Sequence, residues 1–145
     1  MKQSELKAIL KDHKLWIQSD GKQGKRAYLQ GTDLGDANLD GANLTGADLD
    51  GACLHGANLC NANLTDANLQ FASLYGANLQ GANLRGANLQ DADLRDAKFT
   101  TNFKKVGWFC GATFSEDQIP WVALNPKYPK WAHTLKWVKA KAEAA

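Results

Sequence analysis

At 145 residues, with 44% hydrophobic and 22% charged residues and a formal net charge of +2, the chain has room for one domain and its caps. No apolar run approaches the roughly 18 residues of a membrane span, and Met1-Lys2-Gln3 opens no signal-peptide core, so a cytoplasmic location is expected. Cys53, Cys60 and Cys110 form no CxxC pair, and an odd count is poor material for a disulfide framework, so free thiols are expected.

Residues 4–18 read as a helix. Ser4 is the expected N-cap, Leu6, Ile9, Leu10, His13, Trp16 and Ile17 fall along one side, and Ser19-Asp20-Gly21 ends it. His13 reads as a helix-flank residue rather than a ligand. The following Gly21-Lys22-Gln23-Gly24-Lys25-Arg26 is glycine-rich and basic, which raises phosphate binding. It lacks the P-loop spacing and the closing Gly-Lys-Ser/Thr, so a linker is expected.

From residue 27 to 99 one five-residue phrase repeats. Every fifth residue from Leu29 gives fifteen slots: Leu29, Leu34, Leu39, Leu44, Leu49, Leu54, Leu59, Leu64, Leu69, Leu74, Leu79, Leu84, Leu89, Leu94 and a closing Phe99. Two residues earlier stands Ala, except at Thr32. Ala and Leu two apart share one face of an extended backbone, and the polar residue between them points away. A period of five fits no helix. An odd period also flips the apolar set of a flat strand at each repeat. The chain must therefore turn after every Ala-x-Leu stub. The second residue after Leu is accordingly Gly at 31, 41, 46, 51, 56, 76, 81 and 86, Asp at 36, 66, 91 and 96, and Asn at 61. A solenoid follows, with Leu and Ala inside.

This stretch resembles the pentapeptide-repeat proteins, whose pattern is A(D/N)LXX. The resemblance implies an all-β solenoid, a right-handed quadrilateral β-helix with four pentapeptides per coil, so that residues twenty apart stack. Leu6 to Leu29, with its His-Lys-x-Trp and Gly-Lys-Arg-Ala elements, resembles the lead-in of small bacterial and phage members. An open solenoid exposes a hydrophobic core and unpaired strand edges at both ends, so short α-helical caps are expected there. The expected units are a helical cap and linker at 1–26, a β-helix at 27–114 and a Trp-rich cap at 115–145.

Adding twenty repeatedly places Asn38, Asn58 and Asn78 on one side and Asn43, Asn63 and Asn83 on the next, where stacked amides can form ladders. A less uniform side carries Asp33, Cys53, Ser73 and Asp93 before its leucines' successors Gly35, His55, Tyr75 and Arg95, with an outward Phe71 nearby. His55, Tyr75, Arg95 and Phe71 form the candidate protein-contact patch, since exposed Tyr and Arg favour interfaces. A small enzyme or a metal site on the same wall is the weaker reading. Catalysis needs concavity and converging groups, and zinc needs three or four ligands in a tight tetrahedron. No catalytic residue, cofactor or metal is assigned.

After Phe99 the frame breaks, yet Phe109 and Phe114 return on the count of five, and Gly111-Ala112-Thr113-Phe114 is a nearly ideal repeat. The solenoid is expected to continue through Phe114, with an irregular side near 102–108. Ser115-Glu116-Asp117-Gln118 has the form of a capping box. Pro129 suits the start of a helix to about 141 carrying Trp131, Leu135 and Val138, with Trp137 nearby. That tail is a lid over the last coil or an aromatic, basic partner-binding surface.

Charge is uneven: residues 1–28 carry net +4, residues 29–100 net −6 and residues 101–145 net +4. The expected function is a non-enzymatic structural or protein-interaction module, monomeric if both ends are capped, with no nucleic-acid or membrane partner. The resemblance offers one alternative, since some family members mimic DNA and bind DNA gyrase. A short acidic prism with basic ends suits that mechanism poorly.

Overall fold

The computed structural model describes residues 1–99, 112–114 and 136–137. Its first element, α1, spans Gln3–Gln18. The helix starts earlier than Ser4 because Lys2 serves as N-cap. Its backbone N–H donates to the Glu5 carboxylate at 3.2 Å, and its carbonyl accepts from Glu5 and Leu6 N–H at 3.1 Å each. The start of α1 is also tied to the chain beyond it. The Met1 ammonium donates to the Asp33 carbonyl at 2.7 Å, and Gln3 Nε2 donates to the Asn38 carbonyl at 3.2 Å. The helix ends where Gly21, at φ 80°, donates back to the Trp16 carbonyl at 2.8 Å.

From Tyr28 to Lys98 the backbone forms parallel bridges between residues twenty apart, such as Tyr28 with Asp48, Asp33 with Cys53, Asn38 with Asn58 and Asn43 with Asn63. Four such series, one per pentapeptide, make four sides per coil. The polar centre of each stub carries the ladder both ways: Asn58 N–H donates to the Ala37 carbonyl at 2.9 Å, and its carbonyl accepts from Leu39 N–H at 2.8 Å. Each corner is closed by a bond such as Ala62 N–H to the Leu59 carbonyl, at 3.1 Å. The second residue after every leucine from Leu29 to Leu94 adopts a φ between 54° and 71°, which explains the preference for Gly, Asp and Asn there. Central side chains brace the corners as well. Asn58 Oδ1 accepts from Cys60 N–H at 3.2 Å, and Asn58 Nδ2 reaches Asn38 Oδ1 at 3.4 Å, as Asn78 does to Asn58 and Asn83 to Asn63.

All fourteen leucines from Leu29 to Leu94 are buried in one cluster, with the alanines from Ala47 to Ala97 beside them and Phe99 packed against it. Ala37 and Ala42, in the first coil, are only partly buried. Leu6 of α1 joins this cluster, and Ile9 and Leu10 pack against it, so the helix lies on the first coil. His13 is fully buried there. Its ring stacks on Trp16 with centroids 5.6 Å apart, and Ala27 N–H donates to its Nδ1 at 3.1 Å. That bond requires an unprotonated Nδ1, hence a neutral ring.

Burial holds the His13 pKa below its ordinary 6.5, opposed by the Thr45 backbone carbonyl and assisted by the positive charge of Arg26. The unfolded chain therefore takes up this proton first. The contribution to stability is complete above pH 6.5 and is lost as the pH falls toward the lowered folded value. Thermal melts should show the fall between pH 7.5 and 5 to be smaller in a His13→Gln variant than in the wild type; equal falls would contradict the buried neutral ring.

Ala112 is fully buried in the same cluster. Next to it, β1 (Thr113–Phe114) pairs in parallel with β2 (Lys136–Trp137). This corrects the expectation of an uninterrupted helix from Pro129 to about 141, because Lys136 and Trp137 are extended. A coil's unpaired edge offers backbone partners to any segment that reaches it, and Trp137-Val138 has strand-favouring chemistry. The expected irregular side at 102–108, the capping box at 115–118 and the remaining tail positions lie outside the described residues.

Candidate functional site

The side bridged through Asp33, Cys53, Ser73 and Asp93 carries the patch. Its residues lie two positions beyond each centre, on the same outward face, so twenty-residue stacking aligns His55, Tyr75 and Arg95 in a column. The column is in contact along its length. His55 and Tyr75 rings stack with centroids 5.5 Å apart and 7° between planes, and the Arg95 guanidinium sits 5.7 Å above the Tyr75 ring.

Arg95 is held by Asp93 through two parallel bonds, Nη2 to Oδ2 at 2.6 Å and Nε to Oδ1 at 2.9 Å, while Arg95 N–H reaches Oδ1 at 3.1 Å. Burial pushes the Asp93 pKa up, but the hydrogen bonds and charge of Arg95 outweigh it and hold the carboxyl below its ordinary value. The Asp96 carboxylate, hydrogen-bonded to the Tyr75 hydroxyl, raises the tyrosine pKa. Tyr75 therefore stays neutral while a charged partner fixes each end of its network. Sequence reasoning placed Asp93 on this side but did not pair it with Arg95, and it did not join Asp96 to Tyr75. The available signal was the spacing of two between Asp93 and Arg95, which puts both on one face.

Phe71 stands at the opposite corner of the same side. It occupies the turn position that is Gly, Asp or Asn at every other described corner, with φ 55° and 57% of its surface exposed. A bulky side chain in the left-handed region costs about 1–2 kcal/mol, and a large exposed apolar ring returns little of it. The backbone is fixed on both flanks: Phe71 N–H donates to the Gln90 carbonyl at 2.9 Å and Ala72 N–H to the Leu69 carbonyl at 3.1 Å.

Between the two corners Cys53 and Ser73 are half-buried. Cys53 and Cys60 are free thiols, and Cys60 Sγ accepts from Asn61 Nδ2 at 3.3 Å. Cys110 lies outside the described residues. Among the described residues no three His, Cys, Asp or Glu side chains gather as a metal would require. No described helix is long and apolar enough to cross a membrane.

A family model described as pentapeptide repeats matches residues 25–61 and 62–100 in eight copies, just over half of the chain. Among solved structures the chain is similar to a pentapeptide-repeat protein from the Arabidopsis thaliana thylakoid lumen: 28% identity, 67% of this chain and 75% of that one, TM-score 0.48. It is also similar to HetL, a pentapeptide-repeat protein of the cyanobacterium Nostoc involved in regulating heterocyst differentiation: 39% identity, TM-score 0.31, covering 56% of this chain and 38% of HetL. A third likeness is to QnrB1, a plasmid-mediated fluoroquinolone resistance protein: 17% identity, TM-score 0.25, covering 70% of this chain and 72% of that one. With TM-scores below one half, these likenesses add no argument to the repeat match. Comparison with curated protein sequences gives no match.

Proposed function

Because this chain belongs to the pentapeptide-repeat family, we propose that it works in the cytoplasm as a non-enzymatic protein-interaction module, with Phe71, His55, Tyr75 and Arg95 on its contact face. The family's right-handed square β-helix is the fold taken for residues 27–114, between a helical cap at 1–26 and a C-terminal segment at 115–145. The observation that carries the reading is Phe71: a strained, exposed aromatic ring where Gly, Asp or Asn would serve the turn at no such cost. The column opposite supports it. Tyr75 and Arg95 are residue types that anchor interfaces, and here both are already oriented, so little side-chain entropy is lost on binding.

Affinity capture from cells of the source organism tests this. A partner retained by the wild type should be lost or weakened at least about tenfold in Tyr75→Ala, as expected for an anchor residue. Equal retention by the variant would remove the patch from the account. Gyrase is the alternative partner. Of the carboxylates such mimicry would use, Asp93 is paired with Arg95, and Asp48 accepts from Gln30 Nε2 at 2.7 Å and Asn68 Nδ2 at 3.1 Å. A supercoiling assay separates the readings: inhibition that disappears when Asp33, Asp48, Asp50 and Asp93 are neutralised together would favour gyrase.

A further inference from the structure

The patch leaves a second feature unused, at the other end of the molecule. Between α1 and the first coil lies a cleft of about 420 Å³, lined by Ile9, Asp12, Trp16, Lys25, Arg26 and Tyr28 and floored by Gly21 and Gly24. That volume suits a small organic ligand. Its basic wall is the Gly-Lys-Gln-Gly-Lys-Arg loop, which lacks the P-loop spacing but is folded back onto the helix. Gly24, at φ 70°, makes this possible. A Cβ there would run into the Asp12 carbonyl oxygen and stand 2.8 Å from Leu15 Cβ.

Among the described residues Asp12 and Lys25 make no salt bridge, and Arg26 uses only its Nε, donating to the Gly46 carbonyl at 2.6 Å. The rest of the guanidinium makes no hydrogen bond among the described residues, and it lies over one face of the Tyr28 ring, 5.5 Å from its centre. Two cations and one carboxylate therefore share a pocket with an indole, a phenol and an isoleucine.

We infer that this cleft binds a nucleoside-monophosphate-like ligand: a phosphate held by Lys25 and Arg26, a flat base against Trp16 and Tyr28, and a base amino group donating to Asp12. The reasons are separable. Arg and Lys supply the charge-assisted bonds a phosphate needs. Aromatic side chains supply stacking surface for a base. A carboxylate beside two cations favours an anion that also carries a hydrogen-bond donor over a bare anion.

Calorimetric titration of the intact protein with adenosine monophosphate, inosine monophosphate, adenosine and inorganic phosphate tests the assignment. Adenosine monophosphate should bind, and inosine monophosphate, which lacks the amino group, should bind at least about fivefold more weakly. Asp12→Ala, which removes the acceptor, should abolish that preference, and Lys25→Gln should weaken adenosine monophosphate at least about tenfold. Both positions are exposed, so melting temperatures should stay at the wild-type value and show that the fold is intact. The inference is overturned if adenosine monophosphate does not bind at about 5 mM. It is equally overturned if inorganic phosphate binds as tightly, or if Asp12→Ala leaves the preference between the two nucleotides unchanged.

Discussion

Replacing Leu64 by alanine is expected to destabilise the protein by about 2–5 kcal/mol, the range for removing a buried leucine side chain. Leu64 is 0% exposed, with Ala62 and Ala67 buried on either side of it in sequence. Its backbone N–H donates to the Asn83 carbonyl at 2.8 Å, and the neighbouring Asn63 is bridged to both Asn43 and Asn83. That ladder keeps the walls from closing on the vacated space, so the cost should fall in the upper part of the range. Gln80→Ala, at an exposed position, provides the control and should stay within about 0.5 kcal/mol of the wild type. Urea unfolding followed by circular dichroism reads both. A wild-type midpoint for Leu64→Ala would reject the register of the whole repeat.

Deleting residues 1–20 should have the second large effect. The deletion removes Leu6 from the core cluster and uncovers the side against which Ile9 and Leu10 pack. It also removes the donors that Met1 and Gln3 offer to the Asp33 and Asn38 carbonyls, and the His13 acceptor used by Ala27 N–H. At about 1.5–3 kcal/mol for each fully buried aliphatic side chain and about 0.5–1.5 for each hydrogen bond, the loss is several kcal/mol. The melting temperature should fall by on the order of 10 °C or more. The freed edge should also drive end-to-end association, visible as a concentration-dependent mass in light scattering. If the shortened protein stayed monomeric and melted at the wild-type temperature, the helix would be a free arm and not a cover.

The solenoid was legible because its period admits few alternatives. Ala and Leu two apart define an inner face, and Gly, Asp or Asn two residues after Leu marks a backbone that must turn with positive φ. Helix α1 was legible from Leu6 and His13 on one side. Its start was less so: Lys2 caps it through Glu5, and Met1 and Gln3 are also held by carbonyls more than thirty residues away. The His55–Tyr75–Arg95 column followed from adding twenty. Its locking by Asp93 and Asp96 did not, since repeat arithmetic places side chains without choosing their rotamers. Lys136–Trp137 read as helix because local periodicity carries no information about pairing with Thr113–Phe114. The cleft depends on how the loop after α1 folds back at Gly24, which a string of Gly and Lys does not specify.

The proposed contact face rests on Phe71 more than on any other residue, and Phe71→Gly tests it most directly. Glycine accepts φ 55° without steric strain, so, less the larger chain entropy glycine loses on folding, the variant should be more stable than the wild type by up to about 1–2 kcal/mol. If the strain is kept for binding, the same variant should retain less partner in the affinity capture. Opposite signs, higher melting temperature with weaker capture, are the predicted result. A variant that is more stable and captures the partner as well as the wild type would contradict the contact face.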